Sequence, residues 1–211
     1  MARPSNTETR REQIVAGLQA VMATNGYEGA SVAQIARAAG LTTGLVHYHF
    51  QSKQEILLAL VDKLARLWRE RAAAHGDEES TARERLGELV DAWLALGEGA
   101  DAHAVACWVL LASEAVRRPA VRELFLAAVR DATAALESAV RAALTAEGRS
   151  VAQSAAIAAG VMAAIEGYLQ LGALGGVVPR GTAAGTLRAM AMGALDEQPL
   201  VRRRRPARSS P

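Results

Sequence analysis

Residues 31–53 read SVAQIARAAGLTTGLVHYHFQSK, and the stretch divides into two short helices around a tight turn. Val32, Ile35, Ala36 and Ala39 recur at helical spacing behind Ser31, and Ser31 with Gln34 forms a capping-box pair that marks the first helix start. Gly40 ends that helix, because glycine takes a left-handed C-terminal cap without a side-chain penalty, and Leu41 beyond it can fold back onto the helix. Thr42 caps a second helix, Thr43 to His49. That helix turns Val46 and Phe50 inward and leaves Thr43, Gly44, His47 and Tyr48 on a polar and aromatic outer face. This is the layout of a helix-turn-helix whose second helix lies in a DNA major groove.

The charges agree once they are placed. The sequence pI is about 9.0, yet Arg202, Arg203, Arg204, Arg205 and Arg208 all sit at the C-terminal end. Without those five, 19 Lys+Arg face 22 Asp+Glu. Residues 1–53 carry five Lys/Arg and three Asp/Glu, whereas residues 54–199 carry 14 against 19, so positive charge collects at the two chain ends. A basic module on a slightly acidic body suits a DNA-binding protein. Hydrophobic residues make up 51% of the 211, mostly Ala, Leu and Val, and aromatics only 4%, which favours helix over sheet. The expected fold is all-α: an N-terminal three-helix helix-turn-helix domain (residues 1–53), a C-terminal helical ligand-binding and dimerisation domain (54–198), and a basic disordered tail (199–211), with about nine helices in total.

Beyond residue 53 the periodicity predicts one long helix of roughly 22 residues, with Leu57, Leu60, Val61, Leu64, Leu67 and Trp68 as a continuous stripe behind a cap at Ser52 and Glu55. At 1.5 Å per residue it spans about 33 Å and joins the DNA side to the distal part. Before it, Thr9 and Glu12 suggest the start of a first helix that Gly26 stops. Further on, helices are expected over Ser80–Leu96, Val105–Arg117, Pro119–Leu144, Val151–Leu174 and Thr182–Leu195. The last two carry unusually many small residues (Ala155, Ala156, Ala158, Ala159, Gly160, Ala163, Ala164 and Gly167; Ala183, Ala184, Gly185, Ala189 and Gly193). Such faces let helices approach closely, which suits a four-helix dimer interface, the alternative being ordinary packing within one chain.

The quoted stretch is similar to the tetracycline-repressor (TetR) family of bacterial transcription regulators. The likeness rests on Ala39-Gly40, Thr42, Gly44, the run Tyr48-His49-Phe50, and then Ser52, Lys53 and Glu55. Many members carry Tyr where this chain has His47. The segments GLTTGLVHYHF and ASEAVRRPAVRELF further resemble the betaine/choline-type (BetI-like) branch. The resemblance implies double-stranded operator DNA as partner, with Thr43, Gly44, Leu45, His47 and Tyr48 at base edges or backbone and Thr42, His49 and Lys53 near phosphates. For His49 the residues allow a second reading, in which it packs beside Phe50 and caps the neighbouring turn. The family also dimerises, here through helices 8 and 9, and binds a small-molecule effector in its distal domain. Trp93, Trp108, Phe125, Met162 and Tyr168 are candidate walls, with Glu114, Glu166 and Gln170 as polar contacts, although apolar residues at helical spacing build any bundle core. Glu166 stands out, because a carboxylate inside the most apolar helix must be paired, exposed at a seam or facing a polar or cationic ligand.

Neither the four histidines nor Cys107 falls at metal-ligand spacing, and no phosphate-binding glycine loop or nucleophile motif is present, so neither an enzyme, a cofactor nor a metal is expected. Cys107, among Trp108, Val109 and Leu110, reads as a small buried hydrophobe. No signal-peptide core and no convincing membrane span is read, because Glu166 closes off the apolar run Val151–Ile165, so a cytoplasmic protein is expected. Two functions remain open: a ligand-gated repressor, or a DNA-binding protein whose second domain only dimerises. A real cavity with a convergent polar group separates them.

Overall fold

A computed structural model describes residues 6–74, 79–94, 102–175, 177–179 and 181–201. Among the described residues there are nine helices and no strand: α1 (Asn6–Gly29), α2 (Val32–Ala38), α3 (Thr43–His49), α4 (Lys53–Ala74), α5 (Ala82–Leu94), α6 (Ala102–Arg117), α7 (Pro119–Ala146), α8 (Ser154–Leu174) and α9 (Ala183–Asp196). His75 to Asp77, Gly97 to Asp101 and the arginines after 201 lie outside the described residues.

Local signals set most boundaries. The Ser31 hydroxyl accepts from Gln34 N while the Gln34 side chain accepts from Ser31 N, completing the expected capping box. Gly40 takes a φ of 66°, and Leu41 N then reaches back to Ala36 O, satisfying a carbonyl that the helix end leaves orphaned. Gly26 breaks α1 with a φ of 67°, although α1 starts at Asn6, earlier than Thr9 suggested. Helix α5 starts at Ala82 rather than Ser80, because Thr81 and Glu84 form their own reciprocal cap. Residues 199–201, expected in the tail, are instead held to the loop after α7. Ser150 N donates to Pro199 O, Val201 N to Gly148 O, and Arg149 donates to the Asp196 and Gln198 carbonyls.

One buried apolar cluster runs from Ile14 in α1 to Leu195 in α9. Helix α1 packs on α2, α4 and α6, while α7 packs on α8, α5, α6 and α4. The strut is α4: Ile56, Leu57 and Leu60 are buried near its start, Leu64 and Trp68 further along. With 22 residues it spans about 33 Å, so a tilt at its distal end moves the helix-turn-helix.

Where α1 crosses α2 the backbones nearly touch. A Cβ on Gly17 would lie 2.7 Å from Ile35 O and 3.1 Å from Ala39 N, backbone atoms that cannot step aside. Gly17→Ala should therefore cost about 1–3 kcal/mol by overpacking, despite alanine's better helix propensity. A lowered denaturation midpoint at unchanged m-value checks this.

Candidate reading surface and distal cavity

Helix α3 buries only Val46, and its C-cap Phe50 is 2% exposed. Thr42 caps it by accepting from Leu45 N. The rest faces outward: Thr42, Thr43, Gly44, Leu45 and His47 are exposed, and Tyr48 is 81% exposed. An aromatic ring so open to water forgoes the stabilisation that burial would bring. At Gly44 the only atom within reach of an added Cβ is the Thr42 hydroxyl, at 4.0 Å, so no packing inside the chain demands glycine there. His49 is half-buried and meets Tyr48 edge to face at 5.0 Å.

Lys53 departs from its expected place beside a phosphate. Its ammonium donates to Tyr27 O at 2.9 Å and Ala30 O at 3.0 Å and lies 4.3 Å from the Tyr27 ring centroid. The turn leaving α1 has carbonyls without helical partners, and a half-buried cation is a strong donor for them. Lys53 thus fixes the helix-turn-helix to the end of α1. Arg11, which sequence reasoning missed, does similar work on the other side. Its guanidinium donates to His49 O, pairs with Glu55 at 3.3 Å and covers the Phe50 ring at 3.9 Å, while Glu55 also accepts from Gln51 N. The partners are 44 residues apart, so no local pattern announces them.

In the distal part Trp93, Trp108, Met162 and Glu166 come together as expected, joined by Trp68, Ala128, Val129, Ala132, Ile165 and Leu169 around a space of about 10 Å³, near the minimum that holds one water. Trp68 lies 4.7 Å from Trp108, and Trp108 lies 4.5 Å from Phe125, which backs the wall without lining it. The Trp68 indole donates to Trp93 O, and the Trp108 indole donates to both Glu166 carboxylate oxygens, at 3.1 and 3.2 Å. Among the described residues, Glu166 is the one charged group in this wall. Burial pushes its carboxyl above the ordinary value, and the Trp108 hydrogen bond opposes that shift. Trp68 was read from the sequence as packing alone, since its place in the α4 stripe explained it.

Three expected contacts fall elsewhere. Gln170 is exposed, and Tyr168 is half-buried against the core but outside the wall. Glu114 is buried and paired with Arg117 and Arg118, three and four residues on along α6. This pair belongs to a link between parts of the chain. Arg118 also bonds Glu28, and its guanidinium lies 4.6 Å from the Tyr27 ring centroid, tying the end of α6 to the end of α1.

Residues 14–60 match the family model for bacterial regulatory proteins, tetR family, and residues 82–196, more than half of the chain, match that for the C-terminal part of BetI-type transcriptional repressors. The HTH-type transcriptional regulator BetI of Rhizobium meliloti is 32% identical over 117 residues, 56% of this chain and 57% of that protein. The fatty acid metabolism regulator protein of Bacillus subtilis is 31% identical over 41% of this chain and 45% of its own length, so the matches span about half the length of these relatives. The BetI regulator of Paraburkholderia phytofirmans is 29% identical over 80% of this chain and 84% of its own. Among solved structures, a transcriptional regulator from Saccharomonospora viridis in complex with choline has the same fold, with a TM-score of 0.75 at 24% identity, covering 90% of this chain and 96% of that one.

The buried carboxylate has a signature in pH. With the folded pKa of Glu166 raised above its ordinary 4.5, the folded state binds more protons than the unfolded one. Its contribution to stability is therefore lost as pH rises from the ordinary value through the raised one. Glu166→Gln keeps an acceptor for the Trp108 indole and removes the charge. It should raise the melting temperature at neutral pH and bring no gain below pH 4, as thermal melts across that range would record.

Proposed function

The chain belongs to the TetR family of bacterial regulatory proteins, with a BetI-type distal domain, and on that premise we propose that it is a ligand-released repressor binding a near-palindromic operator as a dimer in the cytoplasm. The observation that carries the DNA half is the outward face of α3, where Thr43, Gly44, Leu45, His47 and Tyr48 stand exposed on a helix anchored through Val46 and Phe50. Tyr48 and Thr43 read base edges, Leu45 meets thymine methyls, and the bare backbone at Gly44 lets the helix sit close. Thr42 and His49 lie toward the phosphates. Lys53 contributes by holding the reader in place.

Two copies join through α8 and α9. Apart from their chain neighbours and their own helix backbone, Gly160, Gly167, Gly185 and Gly193 have no described atom within 4 Å of an added Cβ, so packing within the chain does not require their small size. Helix α8 is long and apolar enough by length and composition to cross a membrane, at mean hydropathy 1.4 over its most apolar window. We assign that apolar surface to the dimer, because Glu166 on the same helix packs into the bundle against Trp108.

The effector is a small organic cation. Indole faces attract cations, quaternary ammonium groups included, and Glu166 supplies a counter-charge in a wall whose described residues include no Lys or Arg. Choline, which the Saccharomonospora viridis regulator holds, is of this class. The 10 Å³ space is the closed, operator-binding form, so a cation enters by parting Trp108 from Glu166 and displacing Trp68. Since Trp68 sits on α4 and Trp108 on α6, that displacement reaches the reading head. The tightness of the same space favours the second reading, in which the distal domain only dimerises.

Tyr48→Ala or Thr43→Ala should weaken operator binding by about 1–3 kcal/mol and relax preference at particular base pairs. Lys53→Met should lower the melting temperature and weaken operator and random DNA alike. Band-shift titrations at fixed salt, with sedimentation to confirm two chains per operator, measure both. Unchanged base preference in both α3 variants would mean that another surface reads the DNA.

A further inference from the structure

Three tryptophans line the distal cavity, and the indole N–H groups of two of them are satisfied. Trp68 donates to Trp93 O at 3.2 Å, and Trp108 donates to Glu166. The third, Trp93 Nε1, is buried without an acceptor on a residue that is only 7% exposed. A buried donor left unpaired is destabilising, and such groups are rare in folded chains. It cannot turn to Glu166 without competing with Trp108, whose indole engages both carboxylate oxygens. The remaining wall, Ala128, Val129, Ala132, Met162, Ile165 and Leu169, offers no side-chain oxygen.

We infer that Trp93 is a specificity-determining residue whose indole N–H donates to an oxygen on the effector, so that the cavity selects cations carrying a hydroxyl or ether oxygen over purely hydrocarbon ammonium ions. The inference rests on the cation reading of this cavity. The division of labour follows from charge. Glu166 and the ring faces hold the cationic head, which any tetraalkylammonium supplies. Trp93 tests for an acceptor near that head. A hydrocarbon cation fills the same space but leaves the donor as unpaired as before. A zwitterion supplies an oxygen too, but it brings a second negative charge into a wall where, among the described residues, the one charged side chain is already a carboxylate and no cation offsets the desolvation cost. A monocation with a neutral oxygen pairs the Trp93 donor and the Glu166 charge at once.

The test compares choline with propyltrimethylammonium, which replaces the hydroxyl by a methyl group, using calorimetric dissociation constants on the full-length protein. Wild type should bind choline about tenfold more tightly, and Trp93→Phe, which keeps an aromatic wall but has no donor, should bind the two within about twofold. Equal binding by wild type, or a preference that survives in Trp93→Phe, overturns the assignment while leaving the cation reading intact. If neither cation binds wild type, the cation reading fails and takes this inference with it. Should Trp93→Phe not fold, the wild-type protein decides alone through the methyl ether of choline, which can accept but not donate, against butyltrimethylammonium. Retained preference for the ether supports a protein donor, and its loss overturns the assignment.

Discussion

The contact on which the rest depends is the lean of Trp68 against Trp108, 4.7 Å between ring centroids, with the Trp68 indole pinned to Trp93 O. Trp68 belongs to the helix whose other end carries the reading head, and Trp108 belongs to α6, which packs on α1. Both aromatic residues are 2–3% exposed. Packed interiors do not deform continuously; they hold or rearrange. A ligand that parts these rings therefore cannot be accommodated by a small local shift, and the displacement is passed to two elements that reach the DNA-binding part.

The second of those routes ends in a polar clasp. Glu114 holds Arg118, Arg118 holds Glu28 and covers Tyr27, and Lys53 covers the same ring while bonding the Tyr27 and Ala30 carbonyls. Burial raises the Tyr27 hydroxyl pKa, with Arg118 opposing, so the phenol beneath both cations stays protonated. Exposed ion pairs contribute little stability, but Glu114 is buried, and a carboxylate in that position is costly once its arginines leave. The clasp is thus better suited to fixing an orientation between α6, α1 and α4 than to adding stability. Its geometry gives the end of α6 leverage on the helix-turn-helix.

Much of this was legible in the chain because it is local. The Ser31–Gln34 cap, the positive-φ glycines at 26 and 40, the Thr42 cap and the α4 stripe depend on residues a turn or two apart, and the sequence order displays them. Glu166 was also legible, as a charge set in the most apolar helix. Its partner was not singled out as such, since Trp108 lies 58 residues away. Separation along the chain likewise hid the Arg11–Glu55 pair and the bonds that Lys53, expected near a phosphate, makes to the Tyr27 and Ala30 carbonyls. Glu114 differs, because Arg117 and Arg118 stand at i+3 and i+4, a pairing the sequence does display.

The most direct measurement of the coupling is the operator dissociation constant at zero and saturating choline, paired with the choline dissociation constant with and without operator. Linkage requires the two ratios to be equal. The account predicts that choline weakens operator binding by roughly 5–150-fold, the usual range for such coupling, and that operator weakens choline binding by the same factor. Choline that binds in the distal cavity yet leaves operator affinity unchanged would contradict it, because the path from Trp68 and Trp108 to the reading helix would then carry nothing.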